Sequence, residues 1–263
     1  MELKIGLVLA GGEGRRFGGD KLLALVDGVA SVARVARALR GAGAELVYAA
    51  VREERRCKLY MEAAGLDGCV YDPSWLGCGG PAAAFAGLEG LRGDTLFAAP
   101  GDMPWLEPGV LEKLEAFMDE AGGEAALPLH EGGFLDTLVA AIRWSLVERL
   151  PGVLRGLCGL RGELRASDPY RAAGRLVLVG SGLLASSPVV FSHINSRELL
   201  RTREPKSPLG PKHVIAVEPR FSLPASRDLL CRRLAREMEE YQRFGVAHLL
   251  KHASRDWSMF CGL

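Results

Sequence analysis

Side-chain amides are almost absent from this chain. Its 263 residues include a single asparagine, Asn195, and a single glutamine, Gln242. Because these amides are thermolabile and scarce in proteins from very hot sources, the composition predicts a thermophilic origin. Genomic base composition is the alternative explanation, since it would also account for the excess of arginine over lysine. In either case, the position of the one asparagine becomes informative.

The chain also lacks long apolar runs and a strong net charge. No stretch approaches the roughly 20 apolar residues of a transmembrane helix, and no signal peptide precedes the first predicted strand. The formal net charge of +1 creates no field that would attract nucleic acid or a membrane surface. We therefore expect a cytoplasmic protein that has neither nucleic acid nor membrane as a partner.

Cysteine pairs with metal-binding spacing are absent as well. The chain contains no Cys-x-x-Cys motif, so the spacing predicts neither a zinc site nor a compact disulfide scaffold. We expect most of these thiols to be unpaired and buried, and a Cys69–Cys78 disulfide stays open as an alternative. The six cysteines are Cys57, Cys69, Cys78, Cys158, Cys231 and Cys261.

What the chain does have is a glycine-rich, cationic loop at residues 9–21. It follows the apolar run of residues 3–8, which predicts a buried parallel strand. The glycines allow backbone N–H groups to approach an anion, while Arg15, Arg16 and Lys21 bring positive charge. This combination indicates a triphosphate-binding loop, and a glycine-rich turn with surface arginines is the alternative. The loop reads Leu-Ala-Gly-Gly-Glu-Gly-Arg-Arg-Phe-Gly-Gly-Asp-Lys.

Two common phosphate-binding loops are excluded by the spacing. A Walker loop needs a hydroxyl residue after its lysine to hold magnesium, and Leu22 follows Lys21 here. The dinucleotide fingerprint beginning at Gly12 requires a third glycine where Phe17 stands. The loop therefore belongs to another class of nucleotide-binding site.

Acidic and amide side chains follow later strands. Asp102 comes in a Gly-Asp-Met-Pro turn after the predicted strand 95–99 and is the candidate magnesium ligand, although an aspartate that caps the next helix is the alternative. Asp72 follows a short strand and precedes a Gly-Pro helix start, whose N–H groups could face a base or phosphate. Asn195 lies between a predicted strand and a predicted helix, where helix capping is the alternative role.

The order of predicted elements indicates an α/β protein. Strands and helices alternate through the first hundred residues, which favours a Rossmann-like three-layer α/β/α fold with a mostly parallel central sheet. A long amphipathic helix pattern covers 226–251, after three prolines that mark a boundary. Predicted strands cover 3–8, 46–51, 69–71, 95–99, 125–129, 136–142, 175–179 and 189–191, and predicted helices cover 31–40, 53–64, 82–91 and 108–120.

Together these motifs resemble those of the molybdenum cofactor guanylyltransferase family, a branch of the Rossmann-like nucleotidyltransferases. Residues 9–21 fit that family's Leu-Ala-Gly-Gly-x-x-x-Arg-Met-Gly-x-Asp-Lys loop, with Phe17 in place of methionine. Asp72 with Gly80-Pro81, and the turn at 101–104, match its next two motifs. Its closing Asn-x-Asn-Thr-Pro-Glu-Asp-Leu element resembles His193-Ile194-Asn195-Ser196-Arg197-Glu198-Leu199, where His193 replaces the first asparagine. Further departures from the family pattern are Ala82, Ala83, Ala84 and Thr137.

The resemblance implies transfer of GMP from GTP to the phosphate of molybdopterin, with release of pyrophosphate and with Mg²⁺ as cofactor. It implies catalytic roles for Arg16, Lys21 and Asp102, with Asp102 as the metal ligand and Asn195 on the acceptor side. A phosphate acceptor is already ionised near neutral pH, so no histidine general base is required. The implied nucleotide-binding residues are Leu9, Ala10, Gly11, Gly12, Gly14, Lys21, Asp72, Gly80, Pro81 and Asp102.

Two alternatives to this function stay open. A related guanylyltransferase could act on another phosphate acceptor, such as adenosylcobinamide phosphate. A non-catalytic nucleotide-binding regulator is the second, although retention of Arg16, Lys21 and Asp102 together argues against it. We expect 1–203 to form the nucleotidyltransferase domain. Residues 204–263 have no counterpart in the minimal family; they form a mainly helical extension and a candidate surface for homo-oligomer contacts.

Overall fold

A computed structural model describes residues 2–12, 17–196, 198–203, 205, 208–219, 221 and 226–262. No helix among these residues is both long enough and apolar enough to cross a membrane. The strands are β1 (Lys4–Leu9), β2 (Leu25–Val26), β3 (Val29–Ala30), β4 (Leu46–Val51), β5 (Gly68–Tyr71), β6 (Thr95–Pro100), β7 (Ala125–Leu129), β8 (Ala140–Arg143), β9 (Leu176–Gly180) and β10 (Val214–Val217). The α-helices are α1 (Ser31–Gly41), α2 (Glu54–Ala64), α3 (Ala83–Ala86), α4 (Pro108–Glu120), α5 (Trp144–Val147), α6 (Leu150–Arg161), α7 (Asp168–Arg171), α8 (Ser181–Leu184), α9 (Leu199–Thr202), α10 (Arg227–Arg243) and α11 (Ala247–Phe260).

One eight-stranded sheet runs through the molecule in the order β10-β9-β7-β8-β6-β1-β4-β5. In one half, β1 pairs in parallel with both β4 and β6, and β4 pairs in parallel with β5. In the other half β7 and β9 are parallel, whereas β8 and β10 run antiparallel to their neighbours. The carboxyl ends of β1, β4 and β6 therefore lie side by side at one edge, which is where open α/β sheets bind ligands.

Both faces of the sheet are buried, which produces three layers. Alternation along the strands places Leu7 and Ala98 in the core on one face, and Val8 and Phe97 in the core on the other. Side chains of α1 and α4 cover the second face, and those of α3, α6, α10 and α11 cover the first. The predicted three-layer α/β/α architecture with a mostly parallel sheet is confirmed.

Several elements differ from the sequence prediction. The predicted helix 82–91 is reduced to the four residues of α3. The predicted strand 189–191 is wrong, because Pro188 begins a 3₁₀ turn that includes those residues. The single long helix predicted over 226–251 is also wrong: it breaks at Gly245, whose φ of 69° turns the chain so that α11 packs back on α10. Strand β10, which the sequence analysis missed, extends the sheet beside β9.

The expectation of unpaired thiols is wrong, because all six cysteines form disulfides. Cys57 pairs with Cys69 across 12 residues and joins α2 to β5, which also rules out a Cys69–Cys78 bond. The other two bonds join segments 80 and 30 residues apart, so sequence spacing carries no sign of them. These bonds are Cys78–Cys158, which links the loop before α3 to α6, and Cys231–Cys261, which links α10 to the end of α11.

A cluster of buried charges fastens α10 and α11 to the rest of the chain. Arg171, fully buried at the end of α7, donates through Nε and Nη2 to the two carboxylate oxygens of Glu237 at 2.6 and 2.7 Å. Its Nη1 donates to Asp256 of α11 at 2.6 Å. Such pairing compensates the desolvation of charges that would be costly alone. The members of this buried charge cluster are Arg161, Arg165, Asp168, Arg171, Glu237 and Asp256.

Candidate active site

A cavity of about 430 Å³ opens at the carboxyl ends of β1, β4 and β6. We call it the nucleotide cavity. It brings together every described residue to which the sequence analysis gave a site role, although these residues span nearly 190 positions of the chain. Gly14 and Arg16 lie outside the described residues. The predicted residues that line the cavity are Leu9, Ala10, Gly11, Gly12, Lys21, Asp72, Gly80, Pro81, Asp102 and Asn195.

Lys21 is aimed into the nucleotide cavity by a capped turn. It begins a 3₁₀ turn, and Asp20 caps that turn by accepting a hydrogen bond from the backbone N–H of Leu22 at 3.0 Å. The second carboxylate oxygen of Asp20 accepts from the Tyr60 hydroxyl at 2.7 Å, which ties the turn to α2. Asp20 is therefore a structural member of the loop motif, and the Lys21 ammonium is left to contact the carboxylate of Asp102.

Asp102 lies at the end of β6 with only 6% of its surface exposed. The turn that carries it is fixed by the backbone, because Gly101 N–H donates to Leu9 O at 3.0 Å and Ile194 N–H donates to Asp102 O at 2.8 Å. Burial alone would raise the pKa of this carboxyl. The hydrogen bonds and charges of His193 and Lys21 outweigh that effect and hold the pKa of Asp102 below its ordinary value. The site therefore contains a buried, ionised carboxylate.

His193 bridges Asp102 to a second carboxylate. Its Nδ1 lies 3.1 Å from Asp102 Oδ1, and its Nε2 lies 3.7 Å from Oδ2 of Asp136. Burial would lower the pKa of His193, but the hydrogen bonds and charges of the two carboxylates raise it to about 10. At neutral pH the site thus has an imidazolium where the family pattern has a neutral asparagine.

Neither His193 nor Asp136 was predicted to have a role in the site. The available signal for His193 was its position in the closing element, where it departs from the family pattern. Asp136 follows no motif, and it reaches the site only because the segment before β8 folds back against β7. Its Oδ1 accepts from Leu138 N–H at 3.2 Å, which orients the carboxylate.

Asp72 and Gly80 also line the nucleotide cavity. Burial raises the pKa of Asp72, and the Arg52 guanidinium, 3.8 Å away from Nε to Oδ2, partly opposes this effect. Gly80 has a φ of 142°, and a Cβ there would lie 1.9 Å from the carbonyl oxygen of Leu164. Only glycine fits at this position, so the loop is held tightly against the chain that follows α6.

Asn195 lines the nucleotide cavity and is exposed to solvent. The next helix, α9, begins at Leu199, four residues later. Asn195 is therefore not the N-cap of that helix, and the capping alternative is wrong. Its position near His193 and Asp102 agrees with a role at the site, and the role on the acceptor side stays a prediction.

Comparisons with known proteins agree with this geometry. A family model described as "MobA-like NTP transferase domain" matches residues 6–170. A Pyrococcus furiosus protein named "Probable molybdenum cofactor guanylyltransferase" is 30% identical over 198 residues, which cover 75% of this chain and 94% of that protein. The "Molybdenum cofactor guanylyltransferase" of Pseudomonas paraeruginosa is 34% identical over 181 residues, covering 63% of this chain and 87% of that protein.

A solved structure shows the same fold. The crystal structure of "Molybdopterin-guanine dinucleotide biosynthesis protein A" from Archaeoglobus fulgidus superposes with a TM-score of 0.56 at 22% identity. The match covers 77% of this chain and 97% of that one. The family model covers more than half of the chain, and the loop, turn and closing motifs meet in one cavity. This chain belongs to the family of MobA-like NTP transferases.

Proposed function

We propose that this protein transfers GMP from GTP to the phosphate of molybdopterin and releases pyrophosphate. One observation carries the proposal: Lys21, Asp102 and the Gly80-Pro81 loop line a single cavity at the edge of the parallel strands. Two relatives of this chain, at 30% and 34% identity, are named molybdenum cofactor guanylyltransferases, the first of them as probable. In the reaction an oxygen of the acceptor phosphate attacks the α-phosphorus of GTP. The bond from that phosphorus to the bridging oxygen breaks, and pyrophosphate leaves.

Charge neutralisation and alignment are the main tasks of the site, because both reactants are anionic. Backbone N–H groups of Gly11 and Gly12 would bind the triphosphate, together with the Lys21 ammonium. Arg16 and Gly14 belong to the same loop motif, and we propose that Arg16 stabilises the departing pyrophosphate. Since the acceptor phosphate is already ionised, no side chain has to remove a proton from it.

Base recognition would fall to the wall of the nucleotide cavity that carries Gly80-Pro81, together with Leu9 at the end of β1 and Ala10 after it. Gly80-Pro81 lies in the loop held by Leu164 and by the Cys78–Cys158 disulfide. Asp72 adds a carboxylate that can accept hydrogen bonds from the amide and amino N–H groups of guanine. We place GTP with its base at this wall and its phosphates at the Lys21 side.

Asp102 is suited to bind Mg²⁺ as the one protein carboxylate of the site. In the described part of the chain, no three His, Cys, Asp or Glu side chains are arranged to hold a metal together. Mg²⁺ commonly uses one or two carboxylates and completes its shell with phosphate oxygens and water. Asp102 is ionised and borders the cavity, so it satisfies that requirement. When bound, the ion would neutralise charge on the phosphates.

A thermophilic source and a cytoplasmic location belong to the same proposal. Disulfides are rare in most intracellular proteins, but those of hyperthermophiles are rich in them. The three disulfides and the scarcity of amides are compatible with such a source. We propose that 1–203 carry the nucleotidyl transfer, and that GTP and molybdopterin are the partners of the site.

The test is a pyrophosphate-release assay on the purified full chain with Mg²⁺. GTP, CTP and ATP are each combined with molybdopterin or with adenosylcobinamide phosphate, and the product is identified by mass spectrometry. We expect release with GTP and molybdopterin, together with a guanine dinucleotide product. Pyrophosphate release only with adenosylcobinamide phosphate would show that this compound, and not molybdopterin, is the acceptor. Binding of GTP without release from any pair would instead favour a regulator.

A further inference from the structure

A second cavity, of about 370 Å³, lies beside the nucleotide cavity. The two cavities share Leu138 and His193 in their walls. The volume of the second falls in the range of about 300–1,000 Å³ that is usual for small-molecule sites. A substrate bound there would meet the nucleotide at the residues around Asp102, so the position is that of an acceptor.

Part of this second cavity is made by the C-terminal extension. His130 and Phe134 come from the turn after β7, and Phe191 and Ser192 come from the segment before the closing motif. His248, in the first turn of α11, supplies a further wall. The family model ends at residue 170, so this wall is built by a part of the chain that lies outside the matched domain.

Two pairs of aromatic rings form part of the lining. The ring of His130 lies 4.9 Å from that of Phe191 at 83°, and Phe134 lies 5.1 Å from His248 at 81°. Phe134 is 56% exposed although it is large and apolar, so part of its ring is available to a ligand. Edge-to-face rings of this kind favour a planar aromatic guest, which can stack on a ring left uncovered.

Polar groups occur among these rings at buried positions. Asp136 is 8% exposed and Ser192 is 6% exposed, and both line the cavity. The Ser192 hydroxyl has no hydrogen-bond partner among the residues that the structure describes. Burial lowers the pKa of both His130 and His248, so each imidazole is neutral at pH 7 and can both donate and accept. Together with the His193 imidazolium beside Asp136, the lining therefore offers a carboxylate, a hydroxyl and two neutral imidazoles to a heterocycle.

We infer that the second cavity binds the pterin ring of the acceptor, and that His248 of the C-terminal extension is one of its binding residues. The pyrimidinone ring of a pterin is planar, and its edge carries amide and amino N–H donors beside carbonyl and ring-nitrogen acceptors. That pattern complements Asp136, Ser192 and a neutral imidazole. A corrin macrocycle is several times larger than a pterin, so the size of the cavity favours the pterin. This inference rests on the proposed guanylyl transfer.

The position of His248 is well fixed by the rest of α11. One turn further along, His252 Nδ1 lies 2.6 Å from the Ser167 hydroxyl oxygen. A second turn along, Asp256 belongs to the buried charge cluster. The turn that contains Gly133 packs closely against the chain just before α11. A Cβ added at Gly133 would lie 2.3 Å from the carbonyl oxygen of Gly245. The extension thus presents His248 to the cavity as a preorganised group.

The test compares His248→Leu and His248→Gln in the full chain. Leucine removes both polar atoms, whereas glutamine can still donate and accept. We expect His248→Leu to raise the KM for molybdopterin about tenfold, equivalent to one buried hydrogen bond, without changing the KM for GTP. His248→Gln should restore much of the loss. His213→Ala is the matched control, because His213 is exposed and lines neither of the two cavities.

A second measurement separates this inference from the proposed reaction. Binding of free neopterin, followed by its fluorescence, requires no transfer. Neopterin binding that is lost in His248→Leu but kept in His213→Ala supports the cavity assignment, even if no acceptor yields pyrophosphate. Transfer with an unchanged KM for molybdopterin in both His248→Leu and Phe134→Ala overturns the assignment and leaves the proposed function standing. Absence of both binding and transfer overturns both.

Discussion

The two halves of the sheet form their cavities in different ways. In the parallel half, made by β5, β4, β1 and β6, most motif side chains of the nucleotide cavity come from the loops that follow β1, β5 and β6, and Asn195 comes from the closing element. In the mixed half, the second cavity combines the turn after β7, the segment before the closing motif and α11. The first kind of site follows from short motifs and sheet topology. The second depends on how a remote segment packs, so its integrity is linked to the buried charge cluster.

The largest expected effect is on the packing of the C-terminal extension. Arg171→Leu leaves Glu237 and Asp256 with less compensation in the interior, and breaking a buried ion pair costs about 3–5 kcal/mol. We expect a loss of that size in the free energy of unfolding, measured by urea denaturation. The control is Arg232→Ala, whose exposed partner is Asp228 and whose loss should stay below about 1 kcal/mol. Equal losses in the two variants would show that the extension is not anchored through Arg171.

Asp102→Asn tests the parallel half. The amide keeps the shape of the carboxylate but loses the charge that attracts Lys21, His193 and Mg²⁺. We expect kcat for pyrophosphate release to fall by about 10²–10³-fold, the loss typical for a group that stabilises charge in the transition state. Asp228→Asn, on the exposed face of α10, should leave kcat unchanged. Full Mg²⁺-dependent activity in Asp102→Asn would contradict the metal assignment.

Disulfide variants test whether the wall proposed to bind the base, at Gly80-Pro81, depends on its covalent link to α6. Cys78→Ser with Cys158→Ser releases the loop before Gly80 from α6, and we expect a loss of about 2–4 kcal/mol in stability. The KM for GTP should also rise. The matched control is Cys231→Ser with Cys261→Ser, which should lower stability while the KM for GTP stays unchanged. If the first pair alters only stability, the loop geometry does not require the bond.

The smallest effect is a pH dependence that originates at His252. Burial, reinforced by the charges of His248 and Arg165, lowers the pKa of His252 to about 4. A histidine in the unfolded chain has a pKa of about 6.5. At pH values between the two pKa values, the unfolded chain therefore binds a proton that the folded chain does not. Stability from this group is therefore present above pH 6.5 and lost as the pH falls toward 4. Unfolding free energies measured across this window should fall less steeply in His252→Gln; parallel curves would contradict the assignment.

Much of the parallel half could be predicted from the sequence. Strands 46–51 and 95–99 agree with the structure to within one residue, because each has an apolar pattern of the right period and a clear boundary. The phosphate loop and the Asp102 turn were identified because they directly follow strands, and parallel strands bring such loops together. Gly80 was also part of a predicted motif. The steric reason why this position requires glycine is the close approach of Leu164, which only the structure shows.

The mixed half could be predicted only in part. The predicted strands 125–129 and 175–179 agree with β7 and β9 to within one residue, whereas the predicted strand 136–142 is wrong over its first four residues, because β8 begins at Ala140. The amphipathic pattern after 226 indicated helix, but the break at Gly245 depends on packing of α11 against α10 that a periodic pattern does not show. The disulfides join segments up to 80 residues apart. His193 and Asp136 acquire their roles only when the closing element and the segment before β8 meet. Contacts of this kind depend on long-range packing and leave no local signature.

The buried charge cluster makes the C-terminal extension and the family domain dependent on each other in evolution. Three arginines of the cluster lie before residue 172, whereas Glu237 and Asp256 lie in the extension. A descendant that lost the extension would lose two carboxylate partners of these arginines and the helices that cover them, with Asp168 as the one carboxylate left from the cluster. Selection for arginine at the three positions would then be relaxed. Relatives of about 200 residues should therefore lack the full set of arginines at the positions equivalent to Arg161, Arg165 and Arg171, a correlation that aligned sequences can test.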